Sequence, residues 1–314
     1  MRSPEAPRGE KVLMELSQNT DTLDGSLRFS AHTRAIASEG AAGWVIADAA
    51  ADALDRGEDV VSLCLGDTSF DTPIRITDAA IRSLRAGRTH YAPVPGTPEL
   101  RRNVARAQNR FDRQDWSADQ VTVFAGAQNA LFAAVMTVAG AGDEVLYLEP
   151  WYATYEATIR AGGAVARPVK LSMDAGGARL SKESILAQVT ERTRAILLNS
   201  PNNPGGYVLD RAELETVASV AERHNLWIIS DEVYRNAVFD GAFLSAASLP
   251  GDPGAHDHRE QPVEIPCDDR LARGVDAGPT LGRRPSPEHG PMHAVRLADL
   301  RPGCGGGRAG RGGR

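Results

Sequence analysis

Asp231 closes an apolar run in the stretch IISDEVYRNAVFDG, Ile228 to Gly241, and is followed at once by Glu232 and Tyr234. A buried strand that ends in a carboxylate carries that charge to the carboxyl edge of an α/β sheet, where such folds keep their ligand sites. Taking a carboxylate out of water costs several kcal/mol unless it is paired, so a cation is expected against Asp231. An arginine there would make a structural ion pair. A protonated ring nitrogen on a ligand would make a binding site.

Three upstream segments have the same form, a strand that ends in residues suited to a ligand. In VTVFAGAQNALFAAVMTVA, Val121 to Ala139, an apolar strand stops at Gly126 and a helix begins at Ala127, so free amides and a helix dipole face the sheet edge. That is an anion cradle, although an ordinary strand-to-helix turn uses the same small residues. In EPWYATYEA, Glu149 to Ala157, Pro150 fixes the turn, and Tyr152 offers a flat face to a planar ligand or packs in the core. In NSPNNPGGY, Asn199 to Tyr207, prolines and glycines pin an irregular loop after the strand RAILL. Asn203 can direct an amide donor inward, and the Asn203–Pro204 bond is a candidate cis peptide. A turn explains the prolines and glycines but not the repeated asparagine.

The elements that would position these groups alternate. From about Ala31 to Pro250, helical patterns separate the short apolar runs VVSLCLG, VTVFAG, EVLYLEP, ARPVKL, RAILLNS and LWIISDE. This predicts an α/β fold with a largely parallel sheet covered by helices on both faces. Residues 1–30 are polar and aperiodic and are expected to form a mobile leader; 31–57 read as an N-terminal arm and helix. After Pro250 the composition shifts to Gly, Pro, Arg and His, as in GDPGAHDHREQ and GCGGGRAGRGGR, and a disordered tail is expected from 254 to 314. The net charge of −6 over 314 residues argues against general nucleic-acid binding. No apolar run is long enough to span a membrane, and the N-terminus lacks the apolar core of a secretory signal. Cys64, Cys267 and Cys304 have neither metal-ligand spacing nor an even count, so no metal site is expected and the expected compartment is the cytoplasm.

Taken together, LGDTSFDTP, HYAPVPGTPELR, GAQNAL, EPWYATY, NSPNNPGG and SDEVYR, in that order from about Glu58 to Gly251, resemble the fold-type I, class I and II pyridoxal phosphate-dependent aminotransferases. The resemblance implies an aspartate-aminotransferase-like large domain over 58–253 and pyridoxal 5'-phosphate as cofactor. It also implies transfer of an amino group between an amino acid and a 2-oxo acid, in a homodimer. Ala127 and Gln128 would supply phosphate-binding amides, and Tyr152 would stack on the ring. Asn203 and Tyr234 would hydrogen-bond the ring hydroxyl, and Asp231 would keep the pyridine nitrogen protonated. Tyr91 resembles the tyrosine that reaches the partner subunit's phosphate, and Gly66 the backbone contact to the substrate carboxylate. Gly205 stands where the family has Thr or Ser.

A second departure concerns the chemistry itself. The family continues past this Asp with a Ser-x-x-Lys segment, whose lysine forms the Schiff base, and a Gly-Trp-Arg-x-Gly strand, whose arginine grips the phosphate. The only lysines here are Lys11, Lys170 and Lys182, all upstream. When His256–Gly278 is reverse-translated with permitted codons and read one base later, it becomes TTIVNSLSKSHAMTGWRVGWTLG, and Pro291–Gly305 becomes QCMLFGSPTFVQDA. The tail from about Gly254 is therefore expected to be an out-of-frame translation, with the lost lysine codon straddling Glu264 and Ile265. The sheet would lack interior strands, and the chain as given would be catalytically inactive. Two other functions remain open at this stage: an RNA-binding or regulatory protein acting through GRAGRGGR, and a pyridoxal phosphate-dependent lyase on the same fold.

Overall fold

In the computed structural model, residues 30–36, 44–64, 66, 70–112, 114–174, 177–249 and 264–267 are described. The expected mobile leader and nearly all of the expected tail lie outside them. Helices α1 (Ala31–Ile36), α2 (Val45–Asp55), α3 (Ile74–Arg85) and α4 (Pro98–Asp112) precede α5 (Ala127–Val138), which opens the α/β core. Strand β1 (Glu144–Glu149) follows, then α6 (Tyr155–Ala161), β2 (Val165–Lys170), a small β3–β4 hairpin (Ser172–Asp174, Gly177–Arg179) and α7 (Lys182–Leu186). Strand β5 (Thr193–Asn199), α8 (Arg211–His224) and β6 (Trp227–Asp231) complete the core.

The main sheet has the order β2-β1-β5-β6-β7 with every pair parallel. Strands β1, β5 and β6 are nearly continuous apolar runs because both of their faces are buried. Val145, Tyr147, Ala195, Leu197 and Ile229 pack on one face with Ala130, Leu131, Ala134 and Val135 of α5 and Ile159 of α6. Leu146, Leu148, Ile196, Leu198 and Ile228 pack on the other face with Leu214, Val217, Val220 and Ala221 of α8. The entry to α8 is fixed by a capping box in which Asp210 accepts from the Glu213 amide and Glu213 accepts from the Asp210 amide. Its exit is fixed by Asn225, in the left-handed conformation at φ 53°.

Three expectations need correction. VVSLCLG and VTVFAG form no strand of the main sheet; the second shows only an isolated bridge at Thr122. A strand needs a neighbour along its length to satisfy its backbone groups, and among the described residues the second run has only local contacts, such as the Val123 N–H to the Pro95 carbonyl at 3.0 Å. The tail, expected to hold no strand beside the one ending in Asp231, contributes β7 (Glu264–Cys267), parallel to β6 with Cys267 opposite Asp231. An open sheet edge recruits the nearest compatible chain, and VEIPC is a short apolar, β-branched stretch of that tail. Pro266 is tolerated because, among the described residues, β7 is the edge strand, with no further ladder to donate to.

Leu197 lies at the centre of the sheet, 1 % exposed. Leu197→Ala is expected to cost about 2–5 kcal/mol through lost burial and the cavity left behind, read as a lower denaturant midpoint.

Candidate functional site

The carboxyl ends of β1, β5 and β6 and the first turn of α5 meet around a cavity of about 80 Å³ lined by Ala127, Gln128, Leu131, Tyr152, Tyr155, Asn199, Asn203, Asp231, Val233 and Tyr234. Parallel register sets this up: Asn199 lies opposite Asp231, so both residues leave the sheet side by side. The two strand-end loops then turn sharply, at the cis peptides Glu149–Pro150, Ser200–Pro201 and Asn203–Pro204.

Asn199 ties the edge together. Its amide donates to the Asp231 carbonyl at 3.4 Å, and its Oδ1 accepts from the Asn203 backbone N–H at 2.9 Å and from Asn202 Nδ2 at 3.4 Å. Asn202 also donates to the Pro150 carbonyl at 3.1 Å and accepts from the Gly205 N–H at 2.6 Å. The repeated asparagine is thus divided between two tasks. Asn199 and Asn202 are buried and satisfy the backbone of the loops, while Asn203 faces the cavity and donates to the Tyr234 hydroxyl at 3.2 Å. Gly205 has a steric cause, since a Cβ there would sit 2.7 Å from Asn202 Oδ1 and 2.9 Å from the Tyr207 ring.

Asp231 is 5 % exposed. The Tyr155 hydroxyl donates to its Oδ2 at 2.6 Å, and the Val233 N–H donates to its Oδ1 at 3.2 Å. Donors aimed at both oxygens fix the direction of the carboxylate. Tyr152 packs edge-on to Tyr155, with centroids 5.9 Å apart and planes at 68°. On the opposite wall α5 begins at Gly126, whose φ of 95° needs a glycine, and no side chain caps the helix. The Gln128 side chain turns away to α6, accepting from Thr154 Oγ1 at 2.6 Å and donating to Thr158 Oγ1. What this helix start offers the cavity is therefore backbone amide.

Six of the residues singled out from sequence, Ala127, Gln128, Tyr152, Asn203, Asp231 and Tyr234, line this one cavity; Tyr91 and Gly66 do not. Both belong to the stretch before α4 that joins no strand, and both are exposed. Sequence reasoning missed Tyr155 and Asn199. The signal for Tyr155 was its spacing three residues after Tyr152, which puts two aromatics on one side of a turn; Asn199 shows no signal apart from being the last residue of its strand.

The donor set suits a flat, anionic, ring-nitrogen ligand: amides for a phosphate, a tyrosine face, an amide and a phenol for a ring oxygen, and a carboxylate for a ring N–H. It contains no amine. The described lysines, Lys170 and Lys182, are exposed and outside the cavity.

Residues 58–258 match the family model for aminotransferase class I and II. The chain is 47% identical over 225 residues to the arginine–pyruvate transaminase of Pseudomonas aeruginosa, covering 72% of this chain and 57% of that protein. It is 41% identical over 195 residues to a probable aspartate/prephenate aminotransferase of Aquifex aeolicus, covering 62% and 49%. Among solved structures it superposes on the aspartate aminotransferase from Thermus thermophilus with maleate at a TM-score of 0.69 and 29% identity, over 77% of this chain and 60% of that one. The N-succinyldiaminopimelate aminotransferase from Mycobacterium tuberculosis gives 0.67 and 33% over 77% and 60%. The matched part spans roughly half to three fifths of these relatives' length.

Glu232, next to Asp231, turns away from the cavity and is 1 % exposed. Its Oε1 accepts from Ser230 Oγ at 3.1 Å, Ser245 Oγ at 2.8 Å and the Ala246 N–H at 3.2 Å, while Oε2 has no partner among the described residues. Burial pushes this carboxyl up to about 7 from 4.5, against the opposing pull of the Ser245 bond and the Arg235 charge. A pKa higher in the folded state means that stability is full below pH 4.5 and falls as pH rises to 7, by about 3 kcal/mol for a shift of this size. Denaturant titrations between pH 4 and 8 are expected to show that slope, and Glu232→Gln is expected to remove it.

Proposed function

Because the chain belongs to the class I and II aminotransferases, a family of pyridoxal 5'-phosphate-dependent transferases, we propose that the cavity holds the ring and phosphate of that cofactor. The activity proposed for the whole protein is movement of an amino group between an amino acid and a 2-oxo acid. The observation that carries this reading is the buried Asp231 carboxylate, aimed by Tyr155 and sharing one cavity with the uncapped start of α5 and the Asn203–Tyr234 pair. The relatives' names favour arginine or a dicarboxylic amino acid as donor and pyruvate among the acceptors.

When bound, the cofactor supplies an electron sink for breaking bonds at the substrate α-carbon. Asp231 holds a proton on the ring nitrogen, which is what makes that sink effective. Asn203 and Tyr234 orient the ring through its oxygen, Tyr152 covers one face, and the amides of Ala127 and Gln128 bind the phosphate, where the helix dipole favours an anion. In a homodimer, exposed Tyr91 would reach the phosphate in the partner subunit's cavity, and Gly66 would meet the substrate carboxylate. No described residue of the cavity can hold the cofactor covalently or carry a proton between substrate and cofactor carbons, since those tasks need an amine of shifted pKa. The residues present fit the ring and the phosphate; they do not fit attachment. The 314-residue chain is accordingly proposed to be inactive, and a cytoplasmic location is proposed for the protein.

The purified chain is expected to take up pyridoxal phosphate at most weakly and reversibly. Borohydride should leave no cofactor fixed to a site lysine, and arginine, aspartate, glutamate or aromatic donors should show no turnover with pyruvate or 2-oxoglutarate. Asp231→Ala should weaken the residual binding by roughly 10- to 100-fold, the size of a lost charge-assisted contact, in a fluorescence titration. Turnover by the unaltered chain that Asp231→Ala abolishes would contradict the assignment of inactivity.

A further inference from the structure

We infer that the chain leaves its family's reading frame at about Gly254, and that the lysine and phosphate-gripping arginine missing from its cavity are encoded one base later in the same gene. This rests on the cofactor reading above for what the lysine would do, and on three separate observations for where it went.

The first is the genetic code. A codon read one base late takes the last two bases of one residue and the first base of the next, so only its middle base is free. Glu264 followed by Ile265 permits AAA or AGA alone, lysine or arginine. Gln261 followed by Pro262 permits only serine or asparagine, and it lies three positions upstream, which is the Ser-x-x-Lys spacing. Downstream, Arg270 to Arg273 permit Gly-Trp-Arg in succession. Such narrow choices yield one continuous motif without a forced stop.

The second is where the likeness ends. The family model matches to residue 258 although the chain runs to 314, and 258 is within a few residues of the point at which the shifted reading begins.

The third is uncovered apolar surface. Helix α3 buries none of its residues; Ile74 is 72 % and Leu84 63 % exposed. Val61 and Leu63, in the run expected to be a strand, are 85 % and 90 % exposed. The run entering Gly126, although partly buried, has only an isolated bridge at Thr122 and no place in the main sheet. A parallel strand leading to the lysine and an antiparallel Gly-Trp-Arg strand would fill the gap between β6 and that run. Among the described residues, the four of β7 are what pairs with β6 on that side. The occupant of these surfaces is the segment encoded in the shifted frame.

The test is to remove one base near codon 254 and compare the repaired full chain with the original. The repaired chain is expected to unfold cooperatively at a temperature higher by ten degrees or so, as several kcal/mol of added burial would give. Borohydride is expected to fix pyridoxal phosphate to the lysine of the restored peptide, located by peptide mass, and to fix none when that codon is changed to alanine. A repaired chain that is insoluble, or that melts no higher than the original because a second copy already covers α3, overturns the frame inference. A repaired chain that is stabilised but takes up no cofactor leaves the frame inference standing and overturns the cofactor reading.

Discussion

The buried Asp231 carboxylate governs the site. A negative charge at 5 % exposure is tolerated only where donors and a cation offset its lost hydration, and the fold is arranged around that demand. Tyr155, from the helix after β1, and the Val233 amide, from the turn that follows, donate to the carboxylate, while Asn199 of the neighbouring strand donates to the Asp231 backbone carbonyl. Each reaches Asp231 because β1, β5 and β6 are parallel and end at one level. If the register slipped by one residue, Asp231 would lie on the opposite face and the cavity would lose its acid.

Asp231 and Glu232 are adjacent and both buried, yet they serve different ends. Asp231 receives two donors on separate oxygens and opens on the cavity. Burial raises the proton affinity of Glu232 against the pull of three donors on one of its oxygens, and those donors tie the loop at Ser245 and Ala246 to the end of β6. At the end of β6 the two side chains leave in opposite directions, so one carboxylate serves the cavity and the other the loop.

The parallel sheet was legible because doubly buried strands read as unbroken apolar runs, and β1, β5 and β6 appear where those runs are. Most of the cavity was legible because its residues follow strand ends at motif spacing. What was not legible depended on partners. VVSLCLG and VTVFAG have the composition of strands but join no ladder of the main sheet, and β7 exists because an open edge accepts a short compatible stretch. Tyr155 and Asn199 act on other residues of the site, and roles of that kind emerge only once the register is known. Gly205 read as a departure from pattern, and the packing of Asn202 and Tyr207 around it explains the absence of a side chain.

The absent amine connects the site to the rest of the chain. A cavity equipped for ring, oxygen and phosphate but not for attachment occurs in a chain whose family likeness stops at residue 258, beside apolar surfaces that nothing described covers. One displaced frame accounts for all three. The nucleotide sequence of the gene from codon 250 to codon 305 tests this most directly. The account predicts that the frame one base later is open throughout, with a lysine codon across Glu264 and Ile265 and Gly-Trp-Arg across Arg270 to Arg273. A stop codon in that frame, or AGA in place of AAA at the lysine position, would contradict it.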